Sequence, residues 1–232
     1  MNKYRFKIVC WPQFICWVVI IGIGCGWDKS PLTSEVGNSY QEVLETQQPA
    51  LPPDYDLLFI GNSLTYTNNL PKLVEMEGAK NGISLGVHSI AKPNYAIVDH
   101  WAEGKVQMLI KTGTYDYVII QQGSSSQEEG YAMLVNEGKK YAEICESNGS
   151  ELAYFMVWPS MTYYHTFDRV IQNYSSGARI NNAILCPVGL EWKKYFDRTS
   201  DFSYYGPDGF HPSYKGSQVA AEVIFKSLFN IK

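Results

Sequence analysis

Short apolar runs alternate along this chain with segments of helical periodicity, and that alternation constrains the fold more than any other feature. Leu57-Leu58-Phe59-Ile60 ends in Gly61, and Tyr117-Val118-Ile119-Ile120 repeats the pattern. Continuous apolarity over so few residues is what a strand buried on both faces requires. Leu152 to Val157 and Ile184 to Val188 read the same way, whereas Ile83 to Ile90 alternates as a strand with one wet face does. Between these runs, Leu70 to Lys80 reads as a helix closed by Asn81-Gly82. Ile97 to Lys111 places Ile97, Trp101, Met108 and Leu109 at helical spacing, and Tyr131 to Glu146 is a third helix ended by Asn148-Gly149. Val219, Ala220, Val223, Ile224 and Leu228 form one face of a last helix, with Pro212 suited to its first turn. Strand and helix in alternation predict an α/β fold with a parallel sheet covered by helices on both faces.

With 232 residues the chain holds one ordinary domain plus appendages. A net charge of -4 and the lack of a Lys/Arg run in the body argue against a nucleic-acid partner. The 17 tyrosines and 6 tryptophans suit sugar rings and interfaces, but core and strand filling explains them more simply. Lys3, Arg5 and Lys7 precede an apolar stretch from Phe14 to Gly24, too short for the ~20 residues of a membrane span. Gly22-Ile23-Gly24-Cys25 resembles a bacterial lipobox, with Gly22 where Leu is usual. The expectation is a lipoprotein-type signal peptide over 1–24, lipid on Cys25, a proline-bearing tether over 25–53 and a folded domain over 54–232. An uncleaved anchor and simple secretion are the alternatives. All of them place the domain outside the cytoplasm, and a lipid anchor would hold it to the membrane of a bacterial cell envelope. Cys145 and Cys186 remain in the body, where two cysteines say nothing of whether they pair. His88, His100, His165 and His211 are scattered without zinc spacing, so no metal is expected.

In open parallel sheets, reactive groups collect beyond the carboxyl ends of the strands. There, after the first strand, stands Gly61-Asn62-Ser63-Leu64-Thr65. A serine at that strand's exit sits where the following helix can aim backbone N–H groups at developing negative charge. Before the last helix comes Asp208-Gly209-Phe210-His211-Pro212. An Asp three residues ahead of a His can turn its carboxylate onto Nδ1–H across one tight turn, leaving Nε2 free to take a serine proton. Ser63 needs that help, because its hydroxyl is a weak nucleophile at neutral pH. Read separately, Ser63 is a helix cap and Asp208 a turn residue; together, at opposite ends of one α/β domain, they read as nucleophile, base and orienting acid. His100 reads as a structural residue on a helix surface. His165 lies in a long loop after the fourth strand, at the cleft or on the surface, and Asp54, Asp56 and Asp116 read as turn residues.

Leu57 to Leu64 resembles the first block of the SGNH/GDSL hydrolases, with Asn62 where many members carry Asp, and Asp208 to His211 resembles their closing Asp-x-x-His block. The resemblance spans about Asp54 to Lys232. It implies a three-layer α/β/α sandwich, flavodoxin-like, with about five parallel strands. It also implies ester hydrolysis through an acyl-enzyme without a cofactor. The two middle blocks depart from the family pattern. Ala91-Lys92-Pro93-Asn94-Tyr95 has no glycine, and Asn94 is its best substitute because asparagine tolerates left-handed backbone angles. Ser125 stands where the third block has Asn, and Gln122-Gly123-Ser124 resembles a segment of the sialate O-acetylesterase and acetylxylan esterase branch. The expected oxyanion hole is therefore the N–H of Ser63, the N–H of Asn94 and the side chain of Gln122.

The resulting expectation is an extracytoplasmic esterase removing short acyl groups, acetyl above all, from carbohydrate. A lipase or thioesterase for longer chains is the rival within the class, and a glycan-binding lipoprotein without turnover is the rival outside it. An acyltransferase would share the same three residues.

Overall fold

The computed structural model describes residues 52–231. The expected signal peptide, Cys25 and nearly all of the expected tether lie outside the described residues.

Strand β1 (Tyr55–Gly61) leads through the short helix α1 (Ser63–Tyr66) into α2 (Leu70–Lys80) and β2 (Leu85–Ala91). Next come α3 (Ile97–Ala102), α4 (Lys105–Thr112) and β3 (Tyr117–Ile120). A helical segment runs through α5 (Glu128–Ala132), a π turn over Met133–Glu137 and α6 (Gly138–Asn148) to β4 (Glu151–Phe155). A 3-10 segment (Met161–Thr166), α7 (Phe167–Ile180), β5 (Ile184–Cys186), α8 (Val188–Thr199) and α9 (Tyr214–Phe229) complete the domain. The five strands pair in the order β2-β1-β3-β4-β5, all parallel. That is the flavodoxin-like order, whose switch point lies between β1 and β3. Helices α2 and α9 pack together on one side, and α3, α6 and α7 pack on the other.

The order explains the strand sequences. β1 lies between β2 and β3, so Leu57, Leu58, Phe59 and Ile60 are all at most 1% exposed. β2 is an edge strand and departs from the expected alternation: Leu85 and Ile90 are buried, while the adjacent His88 and Ser89 are both exposed. Gly149 closes α6 in the left-handed conformation at φ 76°, where glycine carries no Cβ penalty.

Three sequence expectations need correction. The helix expected over 97–111 is broken, because Gly104 takes φ 74° and starts α4 afresh. The break resets the helical face, so Val106 and Ile110 enter the core and Met108 points outward. Pro212 is not in the first turn of α9. It bridges to Tyr205 as an isolated antiparallel pair, and Ser213 caps the helix by accepting the Gly216 N–H at 3.1 Å. Helices α7 and α8 are not predicted by the apolar pattern at all. Trp192 of α8 stacks on Trp158 with ring centroids 3.5 Å apart, a pair contributing roughly 0.5–1.5 kcal/mol beyond its buried area. Cys145 and Cys186 are buried free thiols, and burial pushes each pKa up to about 12.

Candidate active site

Ser63 is the first residue of α1, directly beyond the carboxyl end of β1. Asn62 caps that helix: its Oδ1 accepts the Leu64 N–H at 3.1 Å, and its Nδ2 donates to the Tyr95 carbonyl at 3.0 Å. One side chain thus ties the serine turn to the loop after β2. Beneath the turn, Gln121 Oε1 accepts both the Asn62 N–H and the Thr65 hydroxyl, each at 2.9 Å. This crowding explains Gly61, since a Cβ there would lie 2.6 Å from Gln121 Oε1 and 2.3 Å from Thr65 Oγ1.

The base arrives from the other end of the chain. Gly206-Pro207-Asp208-Gly209 is a turn closed by the Gly209 N–H donating to the Gly206 carbonyl at 3.0 Å, with proline at the second position where its fixed φ fits. Asp208 Oδ1 accepts the N–H groups of Phe210 and His211 at 3.0 and 2.9 Å. Its Oδ2 lies 2.6 Å from His211 Nδ1, and His211 Nε2 lies 2.9 Å from Ser63 Oγ. With a carboxylate facing Nδ1, the ring proton belongs there. Nε2 is then the acceptor for the serine hydroxyl. The imidazole hydrogen bond, followed by the Phe210 N–H, holds the Asp208 carboxyl below its ordinary value of 3.8.

This loop is pinned from three sides. Trp158 Nε1 donates to the Phe210 carbonyl at 2.9 Å, the Met161 N–H donates to the Gly209 carbonyl at 2.8 Å, and Asn68 Nδ2 donates to the Pro212 carbonyl at 3.1 Å.

The remaining candidate residues sort by where their polar atoms are engaged. Asn94 adopts the left-handed conformation at φ 59°. Gln122 accepts the Ile97 N–H on Oε1 at 2.9 Å, which turns its Nε2 end away from that bond. Ser63, Asn94, Gln122 and Gly123 line one cleft of about 270 Å³, bounded by Tyr95, Ala96 and Phe210. The Ser125 hydroxyl instead donates to the Gly123 carbonyl at 2.9 Å and is spent within its own loop. A second cleft of about 580 Å³ shares Phe210 with the first and includes His165, which is exposed.

His100 is not on a helix surface. It is fully buried, and its Nε2 donates to the Gly61 carbonyl at 2.7 Å beneath the ring of Tyr95. Burial lowers its pKa and keeps it neutral. Gln121, His100 and Trp158 are the supports that sequence reasoning misses. Each acts on a backbone group at least 39 residues away or, for Gln121, on a turn 59 residues away. A buried glutamine pair at the end of an apolar strand is the one signal available, and only for Gln121.

The fold and site geometry define a class. The chain has the fold of the SGNH/GDSL hydrolases. It is similar to a protein described as an SGNH hydrolase from Slackia heliotrinireducens, with TM-score 0.63 and 21% identity over 75% of this chain and 98% of that one. A lipase/acylhydrolase from Enterococcus faecalis gives TM-score 0.62 and 14% identity over 76% and 96% of the two chains. An acetylxylan esterase from Geobacillus stearothermophilus gives TM-score 0.58 and 13% identity over 77% and 95%. No protein-family model and no curated protein matches the sequence, so the likeness is one of structure.

Proposed function

We propose that the chain is a serine esterase in which Ser63 is the nucleophile, His211 the base and Asp208 the group that orients it. The continuous contact from Asp208 Oδ2 through His211 to Ser63 Oγ, at 2.6 and 2.9 Å, carries this reading. A capping serine or a turn aspartate alone requires no imidazole between them. Ser63 Oγ bonds to the ester carbonyl carbon as its proton passes to Nε2. The tetrahedral intermediate then expels the alcohol, which leaves with that proton. Water attacks the acyl-serine with His211 again as base, and the acid departs. An acceptor sugar in place of water would make the same chemistry a transfer.

The oxyanion is met by the N–H of Ser63 in the first turn of α1, the N–H of Asn94 and Nε2 of Gln122. The Ile97 N–H supports the last assignment, because it holds Oε1 and so fixes which end of the amide is left for the cleft. Gln122→Ala should lower kcat by about a hundredfold or more, the usual cost of one such donor. Ser125→Ala should cost far less, since its hydroxyl serves the Gly123 carbonyl. Steady-state kinetics on one aryl ester decide the point, and a larger loss at Ser125 would transfer the role.

The proposed substrate is a short acyl ester of a carbohydrate, acetyl first. The cleft around Ser63 is small, at about 270 Å³. The Gln122-Gly123-Ser124 segment and the acetylxylan esterase among the similar folds favour the same chemistry. Residues 54–232, assayed on aryl esters of increasing length and on acetylated sugars, should prefer acetyl to octanoyl at least tenfold in kcat/KM. A preference for octanoyl would make the chain a lipase. Lipidation of Cys25 places this activity at the cell envelope. Cys25→Ser should then leave an unlipidated precursor, deletion of the residues before Trp27 should give a soluble, active domain, and an unmodified Cys25 in the mature protein from its own host would contradict the anchor.

A further inference from the structure

We infer that the cleft behind Phe210 holds the alcohol half of the ester and is built for a neutral sugar ring. This rests on the esterase reading above. It adds which side of Ser63 the leaving group occupies and which side chains recognise it.

The cleft is the larger of the two at the site, about 580 Å³ against about 270 Å³ around Ser63. Phe210 lines both, and Gly123 of the first is followed in the chain by Ser124 of the second. A substrate carbonyl placed at Ser63 therefore has one small recess and one large cleft beside it. A short acyl group suits the recess.

The polar groups of the cleft decide its ligand. The Ser124 hydroxyl is committed to the Trp158 carbonyl and the Thr166 hydroxyl to the Tyr163 carbonyl. Ser126, Gln127, Ser160, Tyr163 and His165 remain, and among the described residues their side chains share one hydrogen bond, Gln127 Nε2 to Ser126 Oγ at 3.5 Å. Hydroxyl, carboxamide and imidazole groups can each both donate and accept, as sugar hydroxyls do. A long acyl chain would cover these groups and leave them unpaired. Among the nine lining residues there is no Lys, Arg, Asp or Glu, so a phosphate-bearing alcohol or thiol meets no counter-charge. Tyr163 is 61% exposed, which leaves a ring face for the C–H side of a pyranose. His165 stands edge-on to it at 6.4 Å, within reach of hydroxyls on the same ring.

The test compares acetyl esters that differ only in the alcohol. The probes are acetylated methyl glycosides of glucose, galactose, xylose and N-acetylglucosamine, with ethyl acetate as the ester too small to reach the cleft. On at least one glycoside, Tyr163→Ala/His165→Ala should lower kcat/KM tenfold or more, mainly through KM, while ethyl acetate stays within twofold. Both positions are exposed, and a melting curve confirms that the variant folds. A parallel fall on ethyl acetate, or no loss on any glycoside, overturns the proposal. Saturation-transfer NMR with the unacetylated methyl glycosides reads the site without turnover. Sugar signals that vanish in the variant support the cleft even if no ester is hydrolysed, in which case only the esterase reading falls. Ester hydrolysis with no glycoside bound overturns the cleft and leaves the esterase standing.

Discussion

Ser63→Ala should abolish ester hydrolysis, lowering kcat by roughly 10⁴-fold or more, the scale on which one member of an acting triad is worth. The size follows from the chemistry. Without Oγ no acyl-enzyme forms, and what remains is activation of water by His211 beside the oxyanion donors. The fold should survive, because among the described residues the Ser63 side chain makes one hydrogen bond, to His211, and α1 is capped by Asn62. Loss of such a bond costs about 1 kcal/mol. Thermal melts should therefore nearly superimpose while turnover vanishes, and a sulfonyl fluoride should add mass to the wild type at Ser63 alone. A variant retaining a tenth of the wild-type rate would show that another group is the nucleophile.

Asp208→Asn should be almost as damaging, about 10⁴-fold in kcat, for a different reason. Its carboxylate can only accept, so it selects the tautomer with the proton on Nδ1. An asparagine amide can donate to Nδ1 instead, which puts the proton on Nε2 where it blocks the serine. Substrate binding should change little, since Oδ1 can still accept the Phe210 and His211 N–H groups. The wild-type pH profile carries the same signature. Because the folded pKa of Asp208 is depressed, the carboxylate's contribution is complete above its ordinary value of 3.8 and is lost only as pH falls through the lower folded value. Asp208 should thus add no protonation step to the rate profile above pH ~4. An activity loss in that range that disappears in Asp208→Asn would contradict an ionised Asp208.

What the sequence discloses divides along physical lines. β1, β3 and β4 were legible because central parallel strands are wet on neither face, and four consecutive apolar residues have few other uses. Ser63 was legible from its place after such a strand, and Asp208 with His211 because their contact spans one local turn. α7 hid because its buried face includes Asn173, Tyr174 and Gly177, and Ser175-Ser176-Gly177 mimics a turn. α8 buries Val188, Trp192 and Phe196 at intervals of four, but Val188 also continues the apolar run of β5 and so reads as strand. The supports of the site were least legible. Gln121 and His100 are polar residues with non-local partners, and no spacing rule announces a hydrogen bond to a turn 59 residues away.

Ser63 and His211 meet across 148 residues, and Asn68 reaches across a similar interval to the Pro212 carbonyl and the Ser217 hydroxyl of α9. During synthesis the nucleophile therefore emerges long before its base. A ribosome-bound fragment that ends before His211 carries Ser63 without its base and is inert. In refolding, recovery of activity should trail recovery of secondary structure, because this closure is among the longest-range contacts in the molecule and loops of that span close late. Regained activity in this chain thus reports closure of that contact, which a far-ultraviolet spectrum does not see.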